Sequence, residues 1–147
     1  MRIIPMSEQE CIELLKRVSI GRLGCSLDDQ PYVVPVGFSY EAGYIYMFST
    51  LGKKIKWMRK NPKVCLQADE IGNRSNWLSV IVMGTYLELR EPQYSAERQH
   101  ALERLKQYSA YWENPLAERR EQTNDLKIET VFLRIEVEST SGLRTTP

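Results

Sequence analysis

Histidine is almost missing from this chain of 147 residues: His100 is the only one. That scarcity removes metal sites built on clustered Cys and His, and neither a C-x-x-C nor an H-E-x-x-H spacing occurs. Ser-His-Asp catalysis would have to recruit His100, which lies among charged residues of an amphipathic segment where a solvated helix position is expected, and no G-x-S-x-G elbow is present. The glycine patterns of dinucleotide and NTP folds are also missing. Cysteine is sparse too. Cys11, Cys25 and Cys65 are odd in number, widely spaced and set among apolar neighbours, as expected of reduced core residues. No apolar run approaches the roughly 18 residues of a membrane-spanning helix. The first residues lack the apolar stretch of a secretory signal, so a cytoplasmic protein is the simplest expectation. Charge of one sign is missing as well: 20 basic against 19 acidic residues leave a net +1, which argues against a protein built to neutralise a nucleic-acid backbone. The acidic residues are scattered, and no pair is placed for general acid–base work. If the protein is an enzyme, a cofactor is expected to carry the hard chemistry.

What remains is rich in short apolar runs. Ser7-Glu-Gln-Glu10 matches a capping box, and Cys11, Ile12, Leu15 and Val18 follow at helical spacing, predicting a helix over residues 8–18. Strands are predicted over 22–27, 32–40 and 44–49, joined by turns at 28–31 and 41–43 into an antiparallel meander. A short helix over 53–60 is stopped by Asn61-Pro62. Further strands are expected at 63–69 and 77–89, the second with Gly84 as a bulge, around a polar loop at 72–76. A helix over 95–112, a loop or short helix over 113–126 and a last strand over 127–139 complete the chain. Six mostly short-linked strands with three helices predict a single, mainly β (α+β) domain built on a closed or nearly closed antiparallel barrel.

The segment Phe48-Ser-Thr-Leu-Gly-Lys-Lys54 leaves a strand and enters a helix. Lysines are electrostatically misplaced in a first helical turn, where the macrodipole is positive. An anion on the free backbone N–H groups reverses the penalty. Ser49 and Thr50 offer hydroxyls and Gly52 permits close approach, so Lys53 and Lys54 mark a candidate phosphate site. The competing reading is a solvated basic face, continued by Lys56, Arg59, Lys60 and Lys63.

Two other features carry paired readings. Pro35 inside a strand marks either an ordinary edge or a place where the strand faces a ligand. Trp77 opens a strand as a core residue or as a ring partner, and Ser79, two residues on, shares its face.

In order, Gly21-Arg-Leu-Gly24, Pro31-Tyr-Val-Val-Pro-Val36, Tyr46-Met-Phe-Ser-Thr-x-Gly-Lys-Lys54, Asn61-Pro-Lys-Val64 and Trp77-x-Ser-Val-x-Val-x-Gly84 resemble the pyridoxamine 5'-phosphate oxidase-like FMN-binding split-barrel family, in its nitroimidazole-resistance and flavin-reductase-like branch. The resemblance covers residues 8–90 well. It implies a six-stranded antiparallel split barrel with Greek-key character and flanking helices, forming homodimers with FMN at the subunit interface. It further implies that Lys53, Lys54, Ser49 and Thr50 hold the FMN phosphate, and that Val33, Val34, Pro35 and Val36 run along the isoalloxazine and ribityl chain. Trp77, Ser79 and Val80 would line the flavin ring. The implied activity is reduction of a small acceptor by electrons from NAD(P)H through bound FMN, with no nucleic-acid or membrane partner. Departures bear on the substrate. The C-terminal arginine- and histidine-bearing signature of true pyridoxamine phosphate oxidases is missing, and no histidine stands near Thr50 as is usual in the nitroimidazole-reductase branch. Ser141-Gly-Leu-Arg144 resembles the glycine-plus-basic ending of some members. A non-catalytic flavin- or haem-binding protein remains an alternative. So does a nucleic-acid-binding barrel using the basic helix with Tyr32, Tyr40, Tyr44 and Trp57. Tyr111 and Trp112 would either cap the site or pack the long helix on the barrel.

Overall fold

Ser7 and Glu10 exchange hydrogen bonds across the first turn of a helix, Glu10 N donating to Ser7 Oγ at 3.1 Å and Ser7 N to Glu10 Oε1 at 3.0 Å. This capping box starts α1 (Glu8–Arg17), which sends Cys11, Leu14 and Leu15 into the core. The computed structural model describes residues 1–108 and 129–147. Around α1 it has β1 (Arg2–Pro5), β2 (Ile20–Leu27), β3 (Gln30–Gly37), β4 (Ser39–Glu41) and β5 (Tyr44–Thr50). Then follow α2 (Lys53–Lys60), β6 (Lys63–Asn73), β7 (Asn76–Glu88), α3 (Ser95–Tyr108) and β8 (Thr130–Thr146). No helix among the described residues is long and apolar enough to cross a membrane.

The strands form one antiparallel sheet in the order β3-β2-β6-β7-β8-β5-β4, with β1 also paired to β8. The two edge strands, β3 and β4, are consecutive in the chain and separated only by Phe38. That residue is fully buried, and its N–H donates to Ser19 O at 3.0 Å. The chain therefore carries the sheet from one edge to the other without a ladder between them, which is a split barrel. The strand expected over 32–40 is corrected accordingly. It breaks at Phe38; its first part pairs with β2 and its second with β5, so no continuous meander forms.

Eight strands replace the six expected, because β4 separates from β3 and because Arg2–Pro5 pairs with the end of β8, Arg2 opposite Thr146. That pairing also carries β8 beyond residue 139. The bulge at Gly84 is present as a register shift between Met83 and Gly84. A Cβ at Gly84 would stand 2.4 Å from Glu136 O and 2.6 Å from Ile135 Cγ2, so only glycine fits where β7 crosses β8. The predicted helix beyond Tyr108, with Tyr111 and Trp112, the segment 113–126 and residues 127–128 of the expected last strand lie outside the described residues.

Alternation along each strand divides two faces. Inward, Leu23, Leu66, Val80, Val82, Ile45, Met47, Leu133 and Ile135 fill the barrel with Ile55 and Met58 of α2. Outward, α3 covers β5 and β8 with Ala101 and Leu105 against Tyr46 and Phe132. The outer face of β3, β2, β6, β7 and the tail of β8 carries exposed apolar side chains instead: Val33, Ile20, Ile71, Ile81, Met83 and Leu143.

Candidate functional site

The cationic helix start forms as the spacing implies. Gly52 is the N-cap of α2 in extended conformation, no side chain caps the helix, and its first turn holds no acidic residue. The orphan N–H groups of that turn therefore have Lys53 and Lys54 as their nearest side chains in sequence. Lys53 Nζ lies 4.8 Å from the centre of the Tyr32 ring and 4.7 Å from that of Trp57. The two rings are 5.8 Å apart.

Tyr32 also lines a cavity of about 440 Å³ on the sheet, with Gly24, Val33, Cys65, Met83 and Lys63. Its floor is open because Gly24 lacks a side chain; a Cβ there would meet Cys65 Sγ at 2.7 Å. At one end Thr85 Oγ1 donates to Glu138 Oε1 at 2.6 Å, and Lys63 Nζ lies 3.5 Å from the same oxygen. Cys25 lines the cavity too. Burial pushes its thiol up, with the charges of Lys54 and Lys53 pulling the other way. Helix start and cavity are thus neighbours.

The remaining predicted site residues divide between the faces. Ser49 is buried and follows Ile45 and Met47 in inward parity, and its Oγ donates to Thr50 O at 2.9 Å. Its hydroxyl is spent, and Thr50 takes the opposite face. Val33, 64% exposed, and Pro35 stand on the bare outer face, while Val34 and Val36 pack against the core. Pro35 sits on an edge strand, as the bland reading required. Trp77 and Ser79 share the outer face with Ile81 and Met83; Trp77 N donates to Thr145 Oγ1 at 3.0 Å. Val80 is corrected: it is 0% exposed inside the barrel, so its side chain cannot line a ligand on that face.

Three residues were missed. Arg22, Gln67 and Asp69 cluster beside Ser79, with Gln67 Nε2 donating to Asp69 Oδ2 at 2.8 Å and to Ser79 Oγ at 3.0 Å. Arg22 Nη1 is 3.6 Å from Asp69 Oδ2. The signal was available: in 63–69 every second residue is polar or cysteine, and the alternate ones are Val64, Leu66 and Ala68.

Other chemistry lies elsewhere. His100 is not simply solvated, since its Nε2 is 2.7 Å from Glu41 Oε1 on the α3 side of the molecule. Arg144 is tied to Glu10 at 2.8 Å. The aromatics of the nucleic-acid alternative do not share a surface: Tyr40 is in the barrel core, Tyr44 lies under the Arg134 guanidinium, and only Tyr32 stands beside Trp57 of α2. No His/Cys/Asp/Glu cluster suited to a metal ion occurs among the described residues.

A split barrel with a cationic helix start beside a bare apolar sheet face defines the class of protein to which this chain is to be compared. A family model described as pyridoxamine 5'-phosphate oxidase matches residues 7–144, and the chain belongs to that family. An uncharacterized protein of Rhizobium meliloti (strain 1021) is 42% identical over 109 residues, covering 74% of this chain and 72% of that protein. A FAD-binding protein from Mesorhizobium loti is similar in structure, with a TM-score of 0.81 and 37% identity over 99% of this chain and all of the other. The FAD-binding protein of Mycobacterium smegmatis shares the fold, with a TM-score of 0.68 and 23% identity over 97% of this chain and 100% of that one.

Proposed function

We propose that the protein binds FMN at the junction of α2 and the bare outer face and works as a cytoplasmic oxidoreductase. The observation that carries this is the adjacency, through Tyr32, of the Lys53–Lys54 helix start to the cavity over Gly24. The residues fit the group. A phosphate matches uncapped N–H groups and two lysines, and a flat tricyclic ring matches a sheet face carrying Val33, Pro35, Ile81 and Met83. Trp77 and Ser79 lie on that same face. The names of the Mesorhizobium and Mycobacterium relatives support a flavin. The four phosphate-site assignments reduce to Lys53, Lys54 and Thr50, since Ser49 faces inward.

When bound, the flavin supplies the redox chemistry, accepting a hydride from NAD(P)H and passing electrons to a small acceptor. The chain's own part is to hold, orient and shield it. The exposed Val33, Ile20, Ile71, Ile81, Met83 and Leu143 of that face call for a cover, and a second copy of this chain is the proposed one, making a homodimer with the flavin between subunits. Pyridoxamine phosphate is not the proposed substrate. His100 and Arg144, the residues closest in kind to the missing signature, are tied to Glu41 and Glu10 away from the cavity.

Purified protein is expected to show flavin absorption in the near-ultraviolet and blue, to release FMN on denaturation and to bleach anaerobically with NADH or NADPH. A colourless protein that takes up neither FMN nor FAD refutes the reading. Bound flavin that no nicotinamide bleaches leaves the passive binder instead.

A further inference from the structure

Five of the twenty basic residues fall within α2, which holds no acidic one, while the rest of the chain sets fifteen cations against nineteen acids. A nearly neutral molecule thus concentrates its positive field on one short helix. Ile55 and Met58 face the core, which turns Lys53, Lys56, Trp57 and Lys60 to the opposite side at helical spacing. Arg59 is held by Glu88 at 2.9 Å. Lys56 and Lys60 are exposed one turn apart, and no ion pair reaches either among the described residues. Like charges at that spacing repel and oppose the helix. The other helices are built differently. Both α1 and α3 interleave acids with bases, so a merely solvated face does not call for the composition of α2.

Trp57 adds a flat surface to this stripe. Its half-buried indole stands 5.8 Å from the Tyr32 ring, and the Lys53 ammonium lies over both. A phosphate at the helix start competes for that ammonium and frees ring surface on which a planar base can stack. Lys56 follows Lys53 by about 4.5 Å along the helix axis and Lys60 by about 10 Å, so the cationic contacts continue beyond a first phosphate. A further phosphate joined to a planar base is the chemistry of a nucleotide. Resting on the flavin reading above, we propose that Lys56, Lys60 and Trp57 form a subsite for the adenylate half of a dinucleotide, the lysines on its phosphate and the indole on its base. FAD and NAD(P)H carry that half in common, so it arrives either with the cofactor or with the reductant.

AMP itself is the probe. Titrated into FMN-loaded protein at low salt, it should give saturable NMR shifts whose dissociation constant rises as salt is added. Lys56→Gln with Lys60→Gln should weaken AMP about tenfold, as for two exposed charge pairs. Lys16→Gln, which removes an exposed charge from α1, should leave it unchanged. Two comparisons then identify the source. If apoprotein binds FAD about tenfold more tightly than FMN and the double variant abolishes that preference, the cofactor brings the adenylate. If the flavins bind alike and the double variant slows bleaching by NADH or NADPH about tenfold, but not by benzyl-dihydronicotinamide, the reductant brings it. That compound donates the same hydride and bears no phosphate. Wild type that gives no saturable shift with AMP overturns the proposal and requires no variant to fold. So does a double variant no weaker than Lys16→Gln, or a protein in which neither comparison shows a difference. Wild type that binds neither FMN nor FAD removes the flavin reading itself, a failure distinct from the others.

Discussion

Lys53 stands with its ammonium 4.8 Å from the centre of the Tyr32 ring, so the first residue of a helix is fastened to the edge strand beside the cavity. Cation–π contacts at exposed sites contribute about 0.5–1 kcal/mol. That is enough to hold the lysine near the helix start but not to explain two lysines there. The double substitution Lys53→Ala with Lys54→Ala should weaken FMN binding by roughly 100- to 10,000-fold, taking about 1.5–3 kcal/mol for each of two hydrogen bonds to a charged group. Fluorescence titration measures it, and unchanged affinity would remove the helix start from the site.

The cover proposed for the bare face can be probed apart from flavin. Ile81 and Met83 are 43% and 54% exposed and lie one row apart on β7. Ile81→Glu with Met83→Glu places two charges where an apolar partner would sit. A shift from dimer to monomer in light scattering is expected, with the helical signal in circular dichroism retained. A wild-type monomer contradicts the homodimer.

Acid should loosen the protein through Glu88. Burial raises that carboxyl, but the hydrogen bonds from Arg59, Tyr86 and Arg90 outweigh it and hold it below its ordinary 4.5. Because the folded value lies below the unfolded one, the stabilisation is complete above about pH 4.5 and is lost as pH falls through the lower folded value. Glu88→Gln should cost about 1–3 kcal/mol at pH 7. It should also flatten the acid limb of a melting-temperature profile. A mutant as acid-sensitive as wild type would show that other carboxylates govern that limb.

Gly84→Ala should destabilise by about 1–3 kcal/mol, since the added methyl meets Glu136 O at 2.4 Å and both strands must part. Thermal unfolding should fall by several degrees. An unchanged midpoint would mean that the crossing of β7 and β8 relaxes freely.

Much of this was legible in the residues because local signals agreed. Gly52 and Asn61-Pro62 bracket α2, and the predicted residues 53–60 are those observed. Ser7 and Glu10 mark α1 equally well. The failures have a common physical origin in long-range pairing. Residues 2–5 have no period of their own and become a strand only against 143–146. The run 32–40 reads as continuous because Phe38 is as good a strand former as its neighbours, yet the sheet order turns it into a crossing. That Val80 turns inward is not legible in its own segment, for another reason. Val80 and Val82 alternate with Ile81 and Met83, so both faces of β7 are apolar and parity alone does not name the core. The alternation in 63–69 puts Gln67 and Asp69 on one face, but joining them to Arg22 and Ser79 takes the register between three strands, which no single segment contains.

The position of β8 constrains how such a chain can be made. It follows every other strand in sequence, yet it lies between β7 and β5 and alone pairs with β1. During synthesis residues 2–5 wait without a partner, and β5 and β7 expose unsatisfied edges until residues 130–146 emerge. Unpaired edges of that kind recruit other chains. Truncation within the last strand should therefore yield aggregates instead of a smaller barrel, and prompt release of the full chain should matter more to its solubility than the stability of any early segment.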